Sequence, residues 1–443
     1  MYGRSLAARE TLARQPRGRF DGAVPDPSRG AVAASNLATA GGDVATADGL
    51  EPIPLVRGED GGVARETKEP TAVAWEDGVI TYVGPAEDLA GIDPEWFEGC
   101  TLAPGFVDCH THLPFVGWRS DEFEARLSGI SYRDLHGEGG IYRSARMFAD
   151  AADDQVLAFC RLLVQEMADH GTTALELKTG YGLSVEGELR QARLARRLAE
   201  EAPQTCTVTL LACHAVPKGL SREDWVRIAC DELIPAAAAE GLADAVDVYV
   251  EDIAFTREDL RAVAEAAAAH GLPLRCHADQ LGPSGAAEAA VALGARSADH
   301  LNHVSPFGVA ALGDAPATVA VLLPTSTLFL RASPPDVRGM LHAGAAVAVA
   351  TDCNPGTSPV VSMPEAIATA CSLYGMRPLE ALAAATIEPA RVLGLSDAHG
   401  TLAPGRQADL VILDGGAFRQ VPYRPGHNPV QHTYVGGKRV GGR

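Results

Sequence analysis

The chain lacks several sequence features, and each absence argues against a class of protein or partner. Its nine cysteines form no CxxC pair, which argues against a thiolate zinc site and a disulfide scaffold and fits a reducing cytoplasm. No apolar run reaches the ~18 residues needed to span a bilayer, so no membrane partner is expected. With 57 acidic against 37 basic residues, the net charge of −20 disfavours nucleic acid and favours a small-molecule partner. An acidic surface without functional meaning explains the same charge.

The first 30 residues also lack the apolar segment of a secretory signal, although they are rich in arginine and faintly resemble a transit peptide. We expect residues 1–30 to be a disordered or non-native extension outside the fold. The whole chain of 443 residues, 47% hydrophobic and 21% charged, suits a large barrel or two domains of a globular protein.

After Thr101 the sequence alternates apolar β-type runs with longer helical stretches, the pattern of βα units. Eight runs can be counted, the number that closes a TIM-type (β/α)8 barrel. They are GFVDCHTH, TTALELKT, TCTVTLLACHAV, DAVDVYVED, LPLRCHAD, SADHLNHV, ATVAVLLPTST and AAVAVATDCNP. One helix between them shows its ends, with Thr256 and Asp259 resembling a capping box and Gly271 ending it. Residues 101–400 are therefore predicted to form the barrel.

Both ends of the chain read instead as short strands separated by glycines. Residues 31–100 include TAVAWEDGVITYVG, and residues 401–443 run from GTLAPGRQADLVILD to YVGGKRV. Neither segment completes a core alone. We therefore predict a small β-sandwich domain built from both chain ends, with boundaries accurate to only a few residues.

Polar residues end most of the barrel runs. His110 and His112 end the first run. Because strand side chains alternate, the two share one face, with their Cβ atoms about 7 Å apart. The later runs carry His214, Glu251, Asp252, His277, His300, His303 and Asp352. Active sites of such barrels lie at the carboxyl ends of the strands, so we expect these side chains at one rim. His303 is interpreted as an ordinary core histidine.

Histidine nitrogens and a carboxylate oxygen are suitable ligands for Zn²⁺ or Fe²⁺ with one position open to water. Such a metal lowers the pKa of bound water toward 7. We therefore predict one divalent metal per chain and hydrolysis as the reaction class.

The HxH motif on strand one, the histidines on strands five and six and the aspartate on strand eight resemble the amidohydrolase superfamily. The segment GTLAPGRQADLVILD and the terminal β-sandwich resemble it too. Binuclear members bridge their metals with a residue from strand four, whereas Lys178 falls on strand two, so we expect a mononuclear site. HTHLPFVGWRSDEFEARLSGISY, ELKTGYGL, ACHAVP, HADQL, SADHLNH and ATDCNPGTSP resemble the imidazolonepropionase family more closely, over about residues 101 to 430.

This resemblance implies hydrolysis of 4-imidazolone-5-propanoate to N-formimidoyl-L-glutamate, as in histidine degradation, by a homodimer. It implies metal ligation by His110, His112, His277 and Asp352, and pairing of Arg119 with the substrate propionate. Tyr132, Tyr181 and His214 would line the substrate site, while Gln280, Asn354, Gly356 and Thr357 would hold the ring and side chain. His300 would contact the attacking water or the oxyanion. Asp352 would take the proton from the water, with His214 and His300 stabilising the oxyanion.

Three alternatives stay open. Deaminases of the superfamily have a titratable glutamate where this chain has Gln280, so deamination is less favoured. The loops 137–144 and 324–334 depart from the family pattern, which allows a relative acting on another cyclic amide. A non-catalytic metal-binding barrel is disfavoured, because all ligand types and candidate substrate contacts are present.

Overall fold

The structure is a computed structural model that describes residues 28–40, 64–67, 70–130, 134 and 139–443. Its strands form two eight-stranded sheets. They are β1 Arg29–Ala40, β2 Ala64–Thr67, β3 Thr71–Glu76, β4 Val79–Pro85, β5 Glu95–Pro104, β6 Phe106–Asp108, β7 Thr172–Lys178, β8 Thr205–Cys213, β9 Ala245–Val250, β10 Leu274–Ala278, β11 Ser297–His300, β12 Val319–Leu322, β13 Val347–Val349, β14 Leu410–Leu413, β15 Val430–Val435 and β16 Lys438–Gly441. The predicted extension lies outside the described residues up to residue 27, and β1 already begins at Arg29.

The strands β6 to β13 lie side by side in chain order and pair in parallel. The last strand returns to the first through a bridge between Thr111 and Cys353, where the His112 amide donates to the Cys353 carbonyl at 2.9 Å. Each of the eight predicted runs contains one of these strands. The prediction of a TIM-type barrel is therefore confirmed.

Most of the helices described connect the barrel strands, three more lie between β13 and β14, and the last lies between β14 and β15. These helices are Ser120–Leu127, Gly140–Asp150, Asp153–Asp169, Val185–Glu201, Arg222–Ile228, Ile234–Ala239, Arg257–Ala269, Ala286–Ala292, Pro306–Asp314, Pro324–Leu330, Val337–Ala343, Met363–Tyr374, Pro378–Ala384, Ile387–Leu393 and Gln420–Tyr423. The capping box predicted at Thr256 is confirmed, since its hydroxyl accepts from the Asp259 amide at 3.2 Å and Asp259 accepts in return. Of the helices described, none has both the length and the hydropathy to cross a membrane.

The two faces of the barrel strands differ in chemistry. Because strand side chains alternate, Val246 and Val248 of β9 pack in the apolar core together with residues of the surrounding helices. Asp247, between them, pairs instead with Lys178 of β7, and Arg275 of β10 pairs with Glu176. These pairs join strands that are not neighbours, so they cross the barrel interior. The inside of the barrel is therefore charged below the predicted site.

The second sheet uses both ends of the chain, in the order β16-β15-β14-β5-β1-β3-β4 with β2 beside β1. Its two parts meet where β5 pairs antiparallel with β14, with Leu102 opposite Ile412. Both residues are buried in an apolar cluster of this sheet, which also contains Val32 and Val73. The joint contribution of the two chain ends agrees with the predicted fold class. The exact domain boundaries stay a prediction, since β5 extends to Pro104 and β14 begins at Leu410.

Candidate metal centre and active site

Four histidines and one aspartate meet at the carboxyl end of the barrel. His110 and His112 follow β6, His277 lies in β10, His300 ends β11 and Asp352 follows β13. All five are buried, with at most 4% of each exposed. The fold brings them together because parallel strands place their carboxyl ends at the same rim.

The nitrogen and oxygen atoms of this cluster converge closely. The Nε2 atoms of His110 and His112 are 3.3 Å apart, and Oδ1 of Asp352 lies 3.6 Å and 3.3 Å from them. His110, His112 and His277 offer atoms within 4.8 Å of one another, as do His110, His300 and Asp352. The four predicted ligands thus fall into two close groups that share His110, and His300 belongs to the group that contains Asp352.

Burial favours the ligand forms of these side chains. It lowers the pKa of His110 well below its usual range, lowers that of His112 and lowers that of His300 to about 3, which keeps the imidazoles neutral. For Asp352, burial alone raises the pKa, but the interactions with the nearby His112 and His300 outweigh it and lower the pKa. Neutral nitrogens and an ionised carboxylate are the forms that bind a divalent cation.

The residues present fit a metal ion. Among the described residues, the buried Asp352 Oδ1 and His277 Nε2 have no hydrogen-bond partner. Such atoms are costly to bury unless something else binds them. Three nitrogens and one oxygen are ligands that both Zn²⁺ and Fe²⁺ accept.

The backbone at the cluster is strained. His300 (φ 79°), Leu301 (φ 63°) and Asp352 (φ 54°) have left-handed conformations that side chains other than glycine rarely adopt. Beside Asp352, the Thr351 hydroxyl donates to Asp108 at 2.6 Å and the Thr351 amide donates to it at 3.1 Å. Strain of this kind persists where the surroundings fix it, which is common at functional sites.

Arg119 lies in the cavity above the cluster. Only 3% of it is exposed, and its backbone amide donates to the Pro355 carbonyl at 2.9 Å. Glu122 approaches Nε at 3.5 Å, but Nε and Nη1 have no hydrogen-bond partner within the described part of the chain. The guanidinium lies against the backbone of Gly356, where a Cβ atom would be 1.5 Å from Nη2. A buried guanidinium with free donors suits a ligand carboxylate.

His214 and Tyr181 form another wall of the same cavity. Nδ1 of His214 donates to the Gly180 carbonyl at 2.9 Å, which fixes the orientation of the imidazole ring. The His214 ring stacks on that of His112, with centroids 5.3 Å apart. Gly180 and Tyr181 are held in turn by their amides, which donate to Gln191 at 3.1 Å and 2.9 Å.

The loop after Asp352 is shaped by Asn354. Its Oδ1 accepts from the amides of Gly356 (2.9 Å) and Thr357 (2.7 Å), and its Nδ2 donates to the Asp352 carbonyl at 2.7 Å. The Asn354 amide is thus engaged within its own loop. Asn354 and Thr357 nevertheless line the cavity, as does Gln280, whose backbone amide donates to Glu251.

The remaining predicted positions divide into two groups. Tyr132 lies outside the described residues, as do residues 137 and 138 of the loop 137–144, whereas Ile141 of that loop lines the cavity. The segment 324–334, predicted as a loop, is helical over Pro324–Leu330. Thr325 and Thr327 are buried there, and the Thr325 hydroxyl donates to the Thr351 carbonyl at 2.7 Å. This segment supports the site from below.

Sequence reasoning missed several residues at the site. Tyr249 lines the cavity beside His277, with ring centroids 5.7 Å apart. Asp247 and Asp299 contact the imidazoles of His277 and His110. The available signal was alternation, because Asp247 and Tyr249 are two residues apart in β9 and so share its inner face.

Comparison with known proteins agrees with this fold. Residues 101–440 match the model of the amidohydrolase family. The adenosine deaminase from Xanthomonas campestris, solved with bound zinc, has a similar structure, with TM-score 0.67, 20% identity and 92% of each chain covered. E. coli guanine deaminase also has TM-score 0.67, with 16% identity over 94% of this chain and 100% of its own. At such identities the likeness concerns the fold alone.

Curated relatives are more similar in sequence. The imidazolonepropionase of Rhizorhabdus wittichii is 42% identical over 374 residues, covering 83% of this chain and 93% of the relative. That of Stenotrophomonas maltophilia is 42% identical over 386 residues, covering 86% and 94%. The chain belongs to the amidohydrolase family. Within it, the chain belongs to the imidazolonepropionases, which are hydrolases of carbon–nitrogen bonds in cyclic amides.

Proposed function

We propose that this protein hydrolyses 4-imidazolone-5-propanoate to N-formimidoyl-L-glutamate. The observation that carries the proposal is the joint presence, in one cavity, of the His/Asp cluster and the buried Arg119 guanidinium. A cyclic amide with a short carboxylate side chain needs both, since the carboxylate would pair with Arg119 while the ring carbonyl lies over the cluster.

We propose that His110, His112, His277 and Asp352 hold one divalent cation, Zn²⁺ or Fe²⁺. The unpartnered Asp352 Oδ1 and His277 Nε2 support this assignment. A divalent metal held there would lower the pKa of water, so that hydroxide is available at neutral pH to attack a carbonyl.

The side chains around the substrate then have distinct roles. Asp352, whose pKa is lowered, takes the proton of the attacking water. His300, whose pKa burial lowers to about 3, is a neutral imidazole that donates one N–H to the developing oxyanion. His214 lines the cavity and helps to stabilise the oxyanion. Tyr132, Tyr181, Gln280, Asn354, Gly356 and Thr357 complete the proposed substrate contacts.

The proposal is tested by following the loss of imidazolone ultraviolet absorbance with freshly made 4-imidazolone-5-propanoate. We expect turnover that a chelator abolishes and added metal restores. Arg119→Met should raise KM more than it lowers kcat, because it removes the partner of the propionate. A chain holding one metal per protomer that leaves the imidazolone unchanged would contradict the substrate assignment.

We further propose a cytoplasmic homodimer. The nine cysteines are free in the structure, which supports a reducing compartment. Sedimentation velocity of the purified chain tests the dimer, and a monomer at micromolar concentration would contradict it.

A further inference from the structure

Five charged side chains fill the barrel interior below the metal cluster. They are Glu176, Lys178, Asp247, Arg275 and Asp299, and each is at most 1% exposed. Lys178 pairs with Asp247 and lies 3.3 Å from Glu176, while Arg275 pairs with Glu176 and lies 2.8 Å from Asp299. The mechanism proposed above uses none of them.

Two of these carboxylates contact proposed metal ligands. Oδ2 of Asp299 is 2.6 Å from Nδ1 of His110, and Oδ2 of Asp247 is 3.0 Å from Nδ1 of His277. A carboxylate accepts a hydrogen bond from a neutral imidazole only if Nδ1 carries the proton, and the contact of His110 with Asp299 is such a hydrogen bond. The lone pair of His110 is then on Nε2, as ligation through that nitrogen requires. For His277, the carboxylate of Asp247 at 3.0 Å favours the same arrangement by charge, although Nδ1 makes no hydrogen bond of good geometry within the described residues.

Each of the two carboxylates is also held by a cation at the same oxygen atom. Nη2 of Arg275 donates to Oδ2 of Asp299 at 2.8 Å, and Nζ of Lys178 pairs with Oδ2 of Asp247. The cations thus fix the oxygen atoms that orient the two imidazoles. Glu176 joins the two halves, since it contacts both cations.

We propose that Asp299 and Asp247 are positioning residues of the metal centre, and that Lys178 and Arg275 increase its metal affinity by holding them. This inference rests on the proposed metal site, not on the identity of the substrate. It makes an unusual demand, because Lys178 and Arg275 place positive charge near a cation. Charge alone predicts that removing either one strengthens metal binding, whereas positioning predicts that it weakens binding.

The test measures zinc affinity of the full chain by competition with a chelating dye, for the wild type, Asp299→Asn, Asp247→Asn and Lys178→Met. We expect zinc binding about 10- to 100-fold weaker in both asparagine variants, the usual effect of losing an outer carboxylate. Lys178→Met should also bind zinc more weakly, although it removes one positive charge from below the metal site. Visible spectra of the cobalt-loaded proteins should change in the same variants, because the ligand geometry is altered.

Asp409→Asn is the matched control. Like Asp299 and His110, Asp409 and His399 form a buried pair, with Oδ2 of Asp409 2.8 Å from Nδ1 of His399. This pair lies next to the start of β14 in the terminal sheet. Its zinc affinity should equal that of the wild type.

The outcomes separate the two proposals. A wild type that binds no zinc defeats the metal site itself. A wild type that binds zinc together with asparagine variants that bind it equally well defeats only the positioning inference, as does tighter binding by Lys178→Met. The asparagine variants keep the size of the native residue, so they decide the matter if Lys178→Met does not fold, which circular dichroism of the metal-free protein reveals.

Discussion

The barrel rim and the terminal sheet both contain buried histidine–aspartate pairs, but only one of them is complete. In the terminal sheet, Asp409 binds His399 with one oxygen and accepts the Gly436 amide at 2.8 Å with the other. At the rim, His110 binds Asp299, and its Nε2 faces Nε2 of His112 and Oδ1 of Asp352; this oxygen has no hydrogen-bond partner in the described part of the chain. A histidine–aspartate pair therefore stabilises the fold in the terminal region, whereas at the rim it lies beside atoms that can still bind a ligand.

The backbone repeats this contrast. In the terminal sheet, Asp77 (φ 51°) and Gly78 (φ 80°) form the two-residue turn between β3 and β4. This left-handed turn matches the twist of the strands, so it costs little with Gly in place. At the rim, His300 and Asp352 have left-handed conformations without a glycine. Asp77 and Asp352 are alike in this respect, so the contrast lies in His300, where a large side chain of the proposed mechanism has the left-handed conformation.

The largest expected effect comes from Asp352→Asn. Asparagine tolerates left-handed backbone and has the shape of aspartate, so the fold should persist. The amide cannot accept the proton of the attacking water and is a poorer metal ligand. We therefore expect kcat to fall by about 10²- to 10⁴-fold. Steady-state kinetics on metal-saturated enzyme measure this.

The control for Asp352→Asn lies in the other region. Asp409→Asn makes the same chemical change in the terminal sheet and should leave kcat unaltered. A kcat for Asp352→Asn near that of the wild type would contradict the role given to Asp352 and, with it, the contrast between the two regions.

A smaller effect is expected from Gly356→Ala. The new Cβ would lie 1.5 Å from Nη2 of Arg119, so the guanidinium must move away from its position in the cavity. Losing part of a charge-assisted contact of about 1.5–3 kcal/mol should lower kcat/KM by roughly 10- to 100-fold, mostly through KM. Metal content should stay the same.

Gly416→Ala provides the comparison for Gly356→Ala. A Cβ at Gly416 meets only Asn36 at 3.6 Å, an ordinary contact, and neither glycine has a left-handed φ. Its kcat/KM should match that of the wild type. If both variants raise KM equally, the close approach of Arg119 to Gly356 has no bearing on substrate binding.

The two regions also differ in how much of them could be predicted from sequence. The eight barrel strands and the rim histidines follow from local patterns, namely apolar runs of strand length that end in polar residues. The contact between Arg119 and Gly356 does not, because it joins a helix start after the first barrel strand to a loop after the last. Such a contact exists only once the barrel has closed.

The charged side chains inside the barrel could not be predicted from the sequence, for a related reason. Asp247 is the one charged residue of β9, and β7 contains Glu176 and Lys178 two residues apart; charges in a strand usually mark its solvent face. Here the alternate face points into the barrel, where Lys178 and Arg275 neutralise it. Only the pairing of non-neighbouring strands distinguishes the two cases, and spacing within one strand does not contain that information.

The smallest expected effect, and the one that best separates the two regions, comes from Gly78→Ala. Alanine at a φ of 80° costs about 1–2 kcal/mol, and its Cβ would also lie 3.1 Å from the Gly436 carbonyl. We expect a lower midpoint of urea unfolding, followed by tryptophan fluorescence, with kcat/KM unchanged. Gly78→Asn should lose less, because asparagine adopts left-handed conformations more readily. If Gly78→Ala instead lowers kcat/KM while the unfolding midpoint stays constant, the terminal sheet acts on the rim directly, and the division between a stabilising region and a binding region is wrong.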